Sequence, residues 1–514
     1  MTRLSAACAL EARLQARHGI VGIAAALAVL WTLVLWVVPD QASGTVAAYL
    51  LFLDTAGFGA LFAVVLLLLE RTEGTRAALS ASPLRPGETV LARVGSLTAL
   101  ALLVAVPMTA AASRGRPADL LWSLPLVLSG VALTSVLLLS ACLVVGARRR
   151  SVQGFLLSVP LAVAPLLLVP LVHLTGLVRH PVVYAVPTTA GAELIRLGSV
   201  PGAAVGSPFL WGAAVAYALL CAAAALLAAE RALSSAAGGA EPGAGPRRRR
   251  PRRARASRLD RSAGRGSLPA LVSFARTDLV GVGRDPLLLL VCCAPVPLAL
   301  ALRFLYPPAA ELVRDSYGFD PAPLTPVLLA ALVLLHVPMM LGMVNGLRAV
   351  EDGDEGILPA LRVSPLSLRA YLAYRTVLPA VLSLVGLAAA LPLSGFVTPG
   401  RPWGTTVALL LAAAQAALVT AVIMACSRDK VAALVVAKGV GAVLTLTPVV
   451  VWALPSPWNL ALLVSPPSWA VLAVPGYDAG PLPPWACLVG GALVTAVAVR
   501  LLLRRAAHRV DGRV

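Results

Sequence analysis

The chain has 514 residues, 59% of them apolar and only 13% charged, which excludes a soluble domain with an ordinary polar surface. A net charge of +19 would suit a nucleic-acid binder, yet about 35 of the 42 Lys and Arg fall on one side of an alternating pattern of apolar runs, the bias that fixes membrane topology. The composition therefore predicts an integral membrane protein with no nucleic-acid partner.

Leu4 to Arg17 carries a rough apolar stripe interrupted by Glu11, Arg13 and Arg17, and predicts a helix lying in the membrane interface. Apolar runs of about 20 residues, long enough to cross a bilayer, then begin near Gly19, Thr45, Val90, Leu120, Val152 and Phe209. The first, Gly19 to Val38, is as long as a full span with no small-residue cleavage site after it, so it is expected to remain as a helix. The long connection before the sixth run holds Pro187-Thr188-Thr189, where a helical or re-entrant hairpin can form. Residues 236–267, with Arg247 to Arg250, Arg252, Arg253, Arg255 and Arg258, predict a disordered basic linker on the inner side, tethered against anionic membrane lipids.

The pattern then restarts. Leu268, Leu271, Val272, Ala275, Leu279 and Val282 recur at helical spacing, with Arg276, Asp278 and Arg284 on other faces, and predict a second interfacial helix. Runs follow near Pro286, Val327, Leu372, Thr405, Val431 and Trp485, and Pro467-Ser468-Trp469 stands in the long connection of this half. The expected fold is an all-α membrane protein of about twelve transmembrane helices. It is divided into six-helix units at 1–235 and 268–514, facing one another and joined by 236–267. Both termini are expected inside. Trp36, Trp122, Trp211, Trp403, Trp452 and Trp485 all fall at predicted outer helix ends, where indoles sit among headgroups. Cys8, Cys142, Cys221, Cys292, Cys293, Cys426 and Cys487 have no paired spacing and read as small apolar filler.

One loop occurs twice. Glu73-Gly74, Ala78-Leu79, Ser82-Pro83-Leu84 and Arg93 return as Glu355-Gly356, Ala360-Leu361, Ser364-Pro365-Leu366 and Arg375, each 282 positions later; eight of the 21 positions match without a gap. The chain is thus a tandem duplication of one membrane unit. Proline disfavours helix in the residue before it and cannot donate to the turn behind, so each Ser-Pro should end a short helix of about two turns held between two spans. A tight connection explains the Gly and Pro; it does not explain why Glu, Leu, Ser and the downstream Arg also persist. Chemistry of other kinds has little to stand on. No Gly-x-x-x-x-Gly-Lys-Ser/Thr loop exists, and the only lysines, Lys430 and Lys438, lie outside glycine-rich turns. His18, His173, His180, His336 and His508 are scattered, so no catalytic residue, metal site or cofactor is assigned to this chain.

An interfacial helix, two spans, a Glu-Gly-x-x-x-x-Leu-x-x-Ser-Pro-Leu loop and four further spans resemble the ABC transporter type-2 permease family, most of all its drug-export members. The resemblance covers nearly the whole chain, as two fused permease units. It implies that Glu73, Gly74, Leu79, Ser82 and Pro83, with Glu355, Gly356, Leu361, Ser364 and Pro365, couple to a separate nucleotide-binding ATPase subunit. That partner would bind the ATP and Mg, in two copies per chain. It further implies export of a drug-like, lipid or natural-product substrate across a bacterial plasma membrane. The second loop departs from the first in carrying Asp352 and Asp354 where the first has Glu70 and Thr72.

Two ionisable residues fall deep in a span at matching positions, Asp54 and His336. Charge at such depth is costly unless it faces a cavity or a partner, so they either line a substrate pathway or tie helices together. Gln415 and Asn345 are expected to hydrogen-bond across helices. A proton-coupled secondary multidrug transporter is the alternative, with Asp54 and His336 as its proton site; the loop after its second span should then carry a basic Asp-Arg-x-Gly-Arg-Arg type sequence, which Glu73 to Arg93 does not.

Overall fold

The computed structural model describes residues 3–55, 59–60, 62–63, 66–67, 70, 83–148, 152–176, 178, 180–238, 267–282, 286–317, 320–354, 366–396, 402–475 and 482–511. The chain divides into two compact units, Met1–Ser257 and Arg258–Val514, built among the described residues of helices and no strands. Most of the basic linker, 239–266, lies outside the described residues.

Unit 1 runs α1 (Arg3–Arg17), α2 (Ile20–Val37), α3 (Asp40–Leu50) continuing into a π-helical turn (Leu51–Thr55), α4 (Pro86–Ala112), α5 (Leu120–Ala147), α6 (Val152–Leu174), α7 (Thr188–Ser199) and α8 (Pro208–Gly238). Gly19, at φ 77°, makes the 71° corner between α1 and α2, a left-handed conformation that glycine adopts without strain. Unit 2 runs α9 (Ser267–Val282), α10 (Pro286–Cys293), α11 (Pro295–Tyr317), α12 (Thr325–Leu329) continuing into a π-helical turn (Ala330–Leu334), α13 (His336–Asp354), α14 (Leu368–Leu393), α15 (Pro402–Cys426), α16 (Lys430–Ala453), α17 (Pro466–Leu472) and α18 (Pro484–Asp511).

Eight described helices are long and apolar enough to cross a membrane, nine if the bent pair α1–α2 counts as one span. Among the described residues the expected twelve are not all counted, for three reasons. The second run of unit 1 passes through residues outside the described set. In α6 the apolar stretch among the described residues is Leu161–Leu174, shorter than a full span. The first run of unit 2 breaks at Ala294–Pro295, and α11 beyond it carries Arg303, Glu311, Arg314 and Asp315.

Helix starts follow local chemistry. Before α4 the Arg85 N–H donates to Glu88 Oε2 (2.8 Å) with Pro86 at the first position, and before α14 Ser367 Oγ accepts from the Ala370 N–H (3.2 Å). Arg85 and Ser367 are 282 apart, so this helix begins in the same register in both units. Asp429 caps α16 through the N–H groups of Val431 and Ala432 (2.9 and 2.8 Å).

The next long helix is the hub of each unit: α5 packs on α4, α6, α7 and α8, and α15 on α13, α14, α16, α17 and α18. Hydrocarbon solvent provides no hydrophobic drive between helices, so close contact depends on small residues. A Cβ on Gly130 of α5 would lie 2.6 Å from Gly191 O of α7, and one on Gly342 of α13 would lie 2.7 Å from Ala416 O of α15. The outward faces are apolar instead, with Leu121, Leu161 and Phe209 at 79%, 79% and 84% exposure. Trp36, Trp122, Trp403, Trp452 and Trp485 are likewise exposed at helix ends, whereas Trp211 is half-buried.

The two long connections are short helices, each preceded by a 3-10 turn: Pro181–Ala185 before α7 and Trp458–Val464 before α17. Thr189 Oγ1 donates to Val183 O (2.8 Å) and Trp469 Nε1 to Leu463 O (2.7 Å). Both donors and both acceptors are 280 apart, so one pin has survived in two chemistries.

Candidate functional site

Both ends of each repeated loop are tied to a buried arginine. In unit 1, Arg93 on the second turn of α4 is 2% exposed; its Nε and Nη2 donate to Glu11 Oε1 of α1 (3.1 and 2.7 Å), and Nη2 also pairs with Glu70 at the end of the second apolar run. One turn further along α1, Gln15 Nε2 donates to Ser96 Oγ (2.7 Å), and at its start Arg3 Nη1 reaches Pro83 O (3.4 Å). In unit 2, Arg375 of α14 is 3% exposed, donates through Nη1 to Asp278 Oδ2 of α9 (3.4 Å) and pairs through Nη2 with Asp352 of α13. The architecture is the same twice: interfacial helix, end of the second run and start of the next helix, joined at one guanidinium.

Chemistry favours permanence here. A buried charge is tolerable only when paired, and removing one partner of such a group costs about 3–5 kcal/mol. Arginine suits the position because its fork reaches separate carboxylates at once. Between Glu70 and Arg93, and between Asp352 and Arg375, lies the whole repeated loop. The residues that enter and leave each loop are therefore joined to the interfacial helix at one guanidinium.

The clasps differ in their surroundings. Around Arg375, Tyr371 OH donates to Asp352 Oδ2 (2.6 Å) and Tyr374 OH to Asp278 Oδ2 (3.0 Å), while Arg348 lies 3.9 Å from Asp278 Oδ1. The guanidinium lies 5.9 Å from the ring centre of Phe274 and 5.5 Å from that of Tyr371. The positions 282 earlier than Tyr371, Tyr374 and Arg348 are Thr89, Ala92 and Leu66. Unit 2 thus braces its clasp with phenol hydroxyls, aromatic faces and a second arginine, where the Thr89 hydroxyl of unit 1 donates instead to Arg85 O (3.4 Å).

Among the predicted loop residues, Pro83 is exposed at the foot of α4; Glu73, Gly74, Leu79, Ser82, Glu355, Gly356, Leu361, Ser364 and Pro365 lie outside the described residues. Leu366, the last residue of the second motif, is buried with Tyr371 and Leu372 against Leu271 and Phe274 of α9. Asp54 belongs to the π-helical turn Leu51–Thr55, with its side chain outside the described set, and His336 is the half-buried first residue of α13, just past the other π turn. Gln415 does reach across helices, from α15 to Thr495 Oγ1 of α18 (3.4 Å); Asn345, contrary to expectation, donates to Leu341 O of its own helix (2.9 Å).

Glu11 is the main correction. Read as an interruption of a lipid-facing stripe, it lies on the buried face of α1 with Ala7 and Gln15, while Leu4 and Leu10 are exposed. The signal was present as a single acid midway along each interfacial helix, Glu11 and Asp278, together with acids 282 apart at the loop entrance, Glu70 and Asp352. A second missed cluster lies at the far end of unit 1: Glu193 and Arg196 on α7, and His173 on α6.

Apolar helices arranged as two tandem units define a multi-pass all-α membrane protein. The "Fluoroquinolones export permease protein family" matches residues 2–235, and the family described as "Fluoroquinolones export permease protein Rv2686c-like" matches residues 278–503. The chain belongs to the fluoroquinolones export permease family, and is a permease of the drug-export class. Two relatives from Mycobacterium tuberculosis are the fluoroquinolones export permease proteins Rv2686c, 32% identical over 46% of this chain and 93% of the relative, and Rv2687c, 33% identical over 43% of this chain and 91% of the relative. Each relative therefore corresponds in size to one unit. No solved structure matches the chain.

Proposed function

We propose that this chain is the membrane half of an ATP-driven type-2 exporter, with each loop receiving the stroke of a separate ATPase subunit. The observation that carries this reading is the buried arginine clasp at the base of both loops. It ties the interfacial helix to the two segments that enter and leave the loop, and it occurs in both units although most of the surrounding sequence has diverged. With two such loops in one chain, one permease would assemble with two ATPases, the units being held at high effective concentration by the linker. The clasp ends face the cytoplasm in this reading, as do both termini, in a bacterial plasma membrane. The substrate class follows the relatives' names: a fluoroquinolone, or another flat amphipathic drug. Asp54, within one π-helical turn, and His336, two residues past the other, are the proposed polar points of its path, since such turns recur at functional sites.

The test is transport into inverted vesicles holding the chain and its ATPase. Uptake of a fluoroquinolone should require ATP. It should be abolished in the quadruple variant Glu73→Lys, Gly74→Trp, Glu355→Lys, Gly356→Trp, while membrane insertion is kept. A complex containing two copies of this chain, or uptake driven by a proton gradient without ATP, would overturn the assignment in favour of a secondary transporter.

A further inference from the structure

The cluster at the end of unit 1 remote from the clasp serves no part of that mechanism. Glu193, 3% exposed on α7, takes a two-pronged contact from Arg196, whose Nε donates to Oε2 (2.8 Å) and Nη2 to Oε1 (2.6 Å); Nη2 also donates to Ala204 O (3.0 Å). On the other side His173, at the end of α6, places Nε2 3.1 Å from Glu193 Oε2 and Nδ1 3.2 Å from Val178 O. Tyr184, from the turn before α7, meets the imidazole edge-on with ring centres 5.4 Å apart.

Both neighbours of the ring are acceptors. A carbonyl oxygen has no proton to give, and Glu193 is kept ionised: burial works to raise its pKa, but the hydrogen bonds and charges of Arg196 and His173 outweigh it and leave the carboxyl at about 2. Neutral imidazole has one N–H and can serve only one of the two oxygens; imidazolium serves both. Acid does not undo this arrangement, because a carboxyl held that low stays charged far below neutrality. Loss of the imidazole proton does undo it, since a ring nitrogen is then left facing an oxygen with a lone pair on each side.

We propose that His173, Glu193 and Arg196 form a proton-binding site that latches α7 to the end of α6, closed while His173 carries two N–H protons and loosened when one passes to bulk water. On release the cluster changes from net positive to neutral, and α7 retains the Thr189–Val183 and Thr188–Leu166 hydrogen bonds as hinges (2.8 and 2.6 Å). Unit 2 has no such site: the positions 280 beyond His173, Glu193 and Arg196 are Ala453, Ala473 and Gly476, and α17 is held by the Trp469 indole, which does not titrate. Among the described residues the latch is therefore confined to unit 1, and α17 is its internal control. The latch operates in the same way whichever energy source drives transport.

Hydrogen–deuterium exchange on the full chain in lipid nanodiscs, corrected for intrinsic exchange and followed over about pH 5 to 8.5, tests it. Residues 188–199 should lose protection as pH rises, by up to about tenfold per pH unit where opening releases one proton. Residues 466–472 should stay flat, and His173→Gln should remove the slope from 188–199. A flat profile in the native protein, equal slopes in both short helices, or a slope that survives in His173→Gln would overturn the proposal. Nitrogen NMR of histidine-labelled native chain gives a second readout that does not require the variant to fold, the signal being assigned with variants of the other four histidines. Two protonated ring nitrogens on His173 at about pH 6 support the latch, and a single neutral tautomer there refutes it.

Discussion

Replacing Arg93 with methionine is the sharpest test of the clasp. The guanidinium makes two hydrogen bonds to Glu11 and a contact with Glu70, all in a site where the arginine is 2% exposed. Removing it leaves two carboxylates face to face, at a cost of about 3–5 kcal/mol, which is between two and nearly four powers of ten in a local opening equilibrium. Exchange measurements should show α1 and the foot of α4 losing protection by such a factor, with drug transport falling in parallel while the far end of the bundle is unchanged. The triple variant Glu11→Leu, Glu70→Leu, Arg93→Met removes the stranded charges and closes the gap with apolar volume, a replacement that is often neutral or stabilising. It should recover both protection and a share of transport, because joining the three helices is what matters. An Arg93→Met protein with native exchange and native transport would refute the reasoning. So would a triple variant no better than the single, which would mean that the charge and not the junction is needed.

Arg375→Lys should impair transport more than its retained charge suggests, since an ammonium cannot span Asp278 and Asp352 as the fork does, while Tyr374→Phe should cost only about 1 kcal/mol of local stability by exchange. Gly191→Ala should loosen α7 by about 1–3 kcal/mol, read as a lower melting temperature, because its Cβ would sit 2.2 Å from Thr134 Oγ1 and 3.0 Å from Gly130 O. Trp469→Phe should lower protection of α17 by about 1–3 kcal/mol, whereas Thr189→Val should cost α7 only about 0.5–1.5 kcal/mol, because Val183 O keeps the Val186 N–H (3.2 Å).

Much of the architecture was legible because membrane helices announce themselves by length and apolarity, and because duplication displayed the same loop twice. Arg93 and Arg375 were visible for that reason. Their partners in the interfacial helices gave a weaker signal, the single acid on each helix: Glu11 and Asp278 are displaced by 267 positions and not 282, so no constant offset marks them, and a lone acid on an amphipathic helix reads as solvent-facing. The His173–Glu193–Arg196 cluster was hidden for the opposite reason. It exists once, and only the fold brings position 173 beside position 193. Twelve spans are not counted among the described residues, and periodicity is blind to a proline break such as Ala294–Pro295.

The π-helical turns carry a consequence for the pairing of Asp54 with His336. Such a turn is an α-helix with one residue too many, so the helix before it is rotated by about 100° relative to the helix after it. Counted back from the loops, the turn of unit 1 begins at 51, equivalent to 333, whereas that of unit 2 begins at 330. Asp54 therefore falls inside its phase shift and His336 two residues beyond its own. Positions 54 and 336, equal in number, therefore stand at different phases of their own helices, and the faces around each turn are drawn from different residues in the two units, although the sequence downstream repeats at eight of 21 positions.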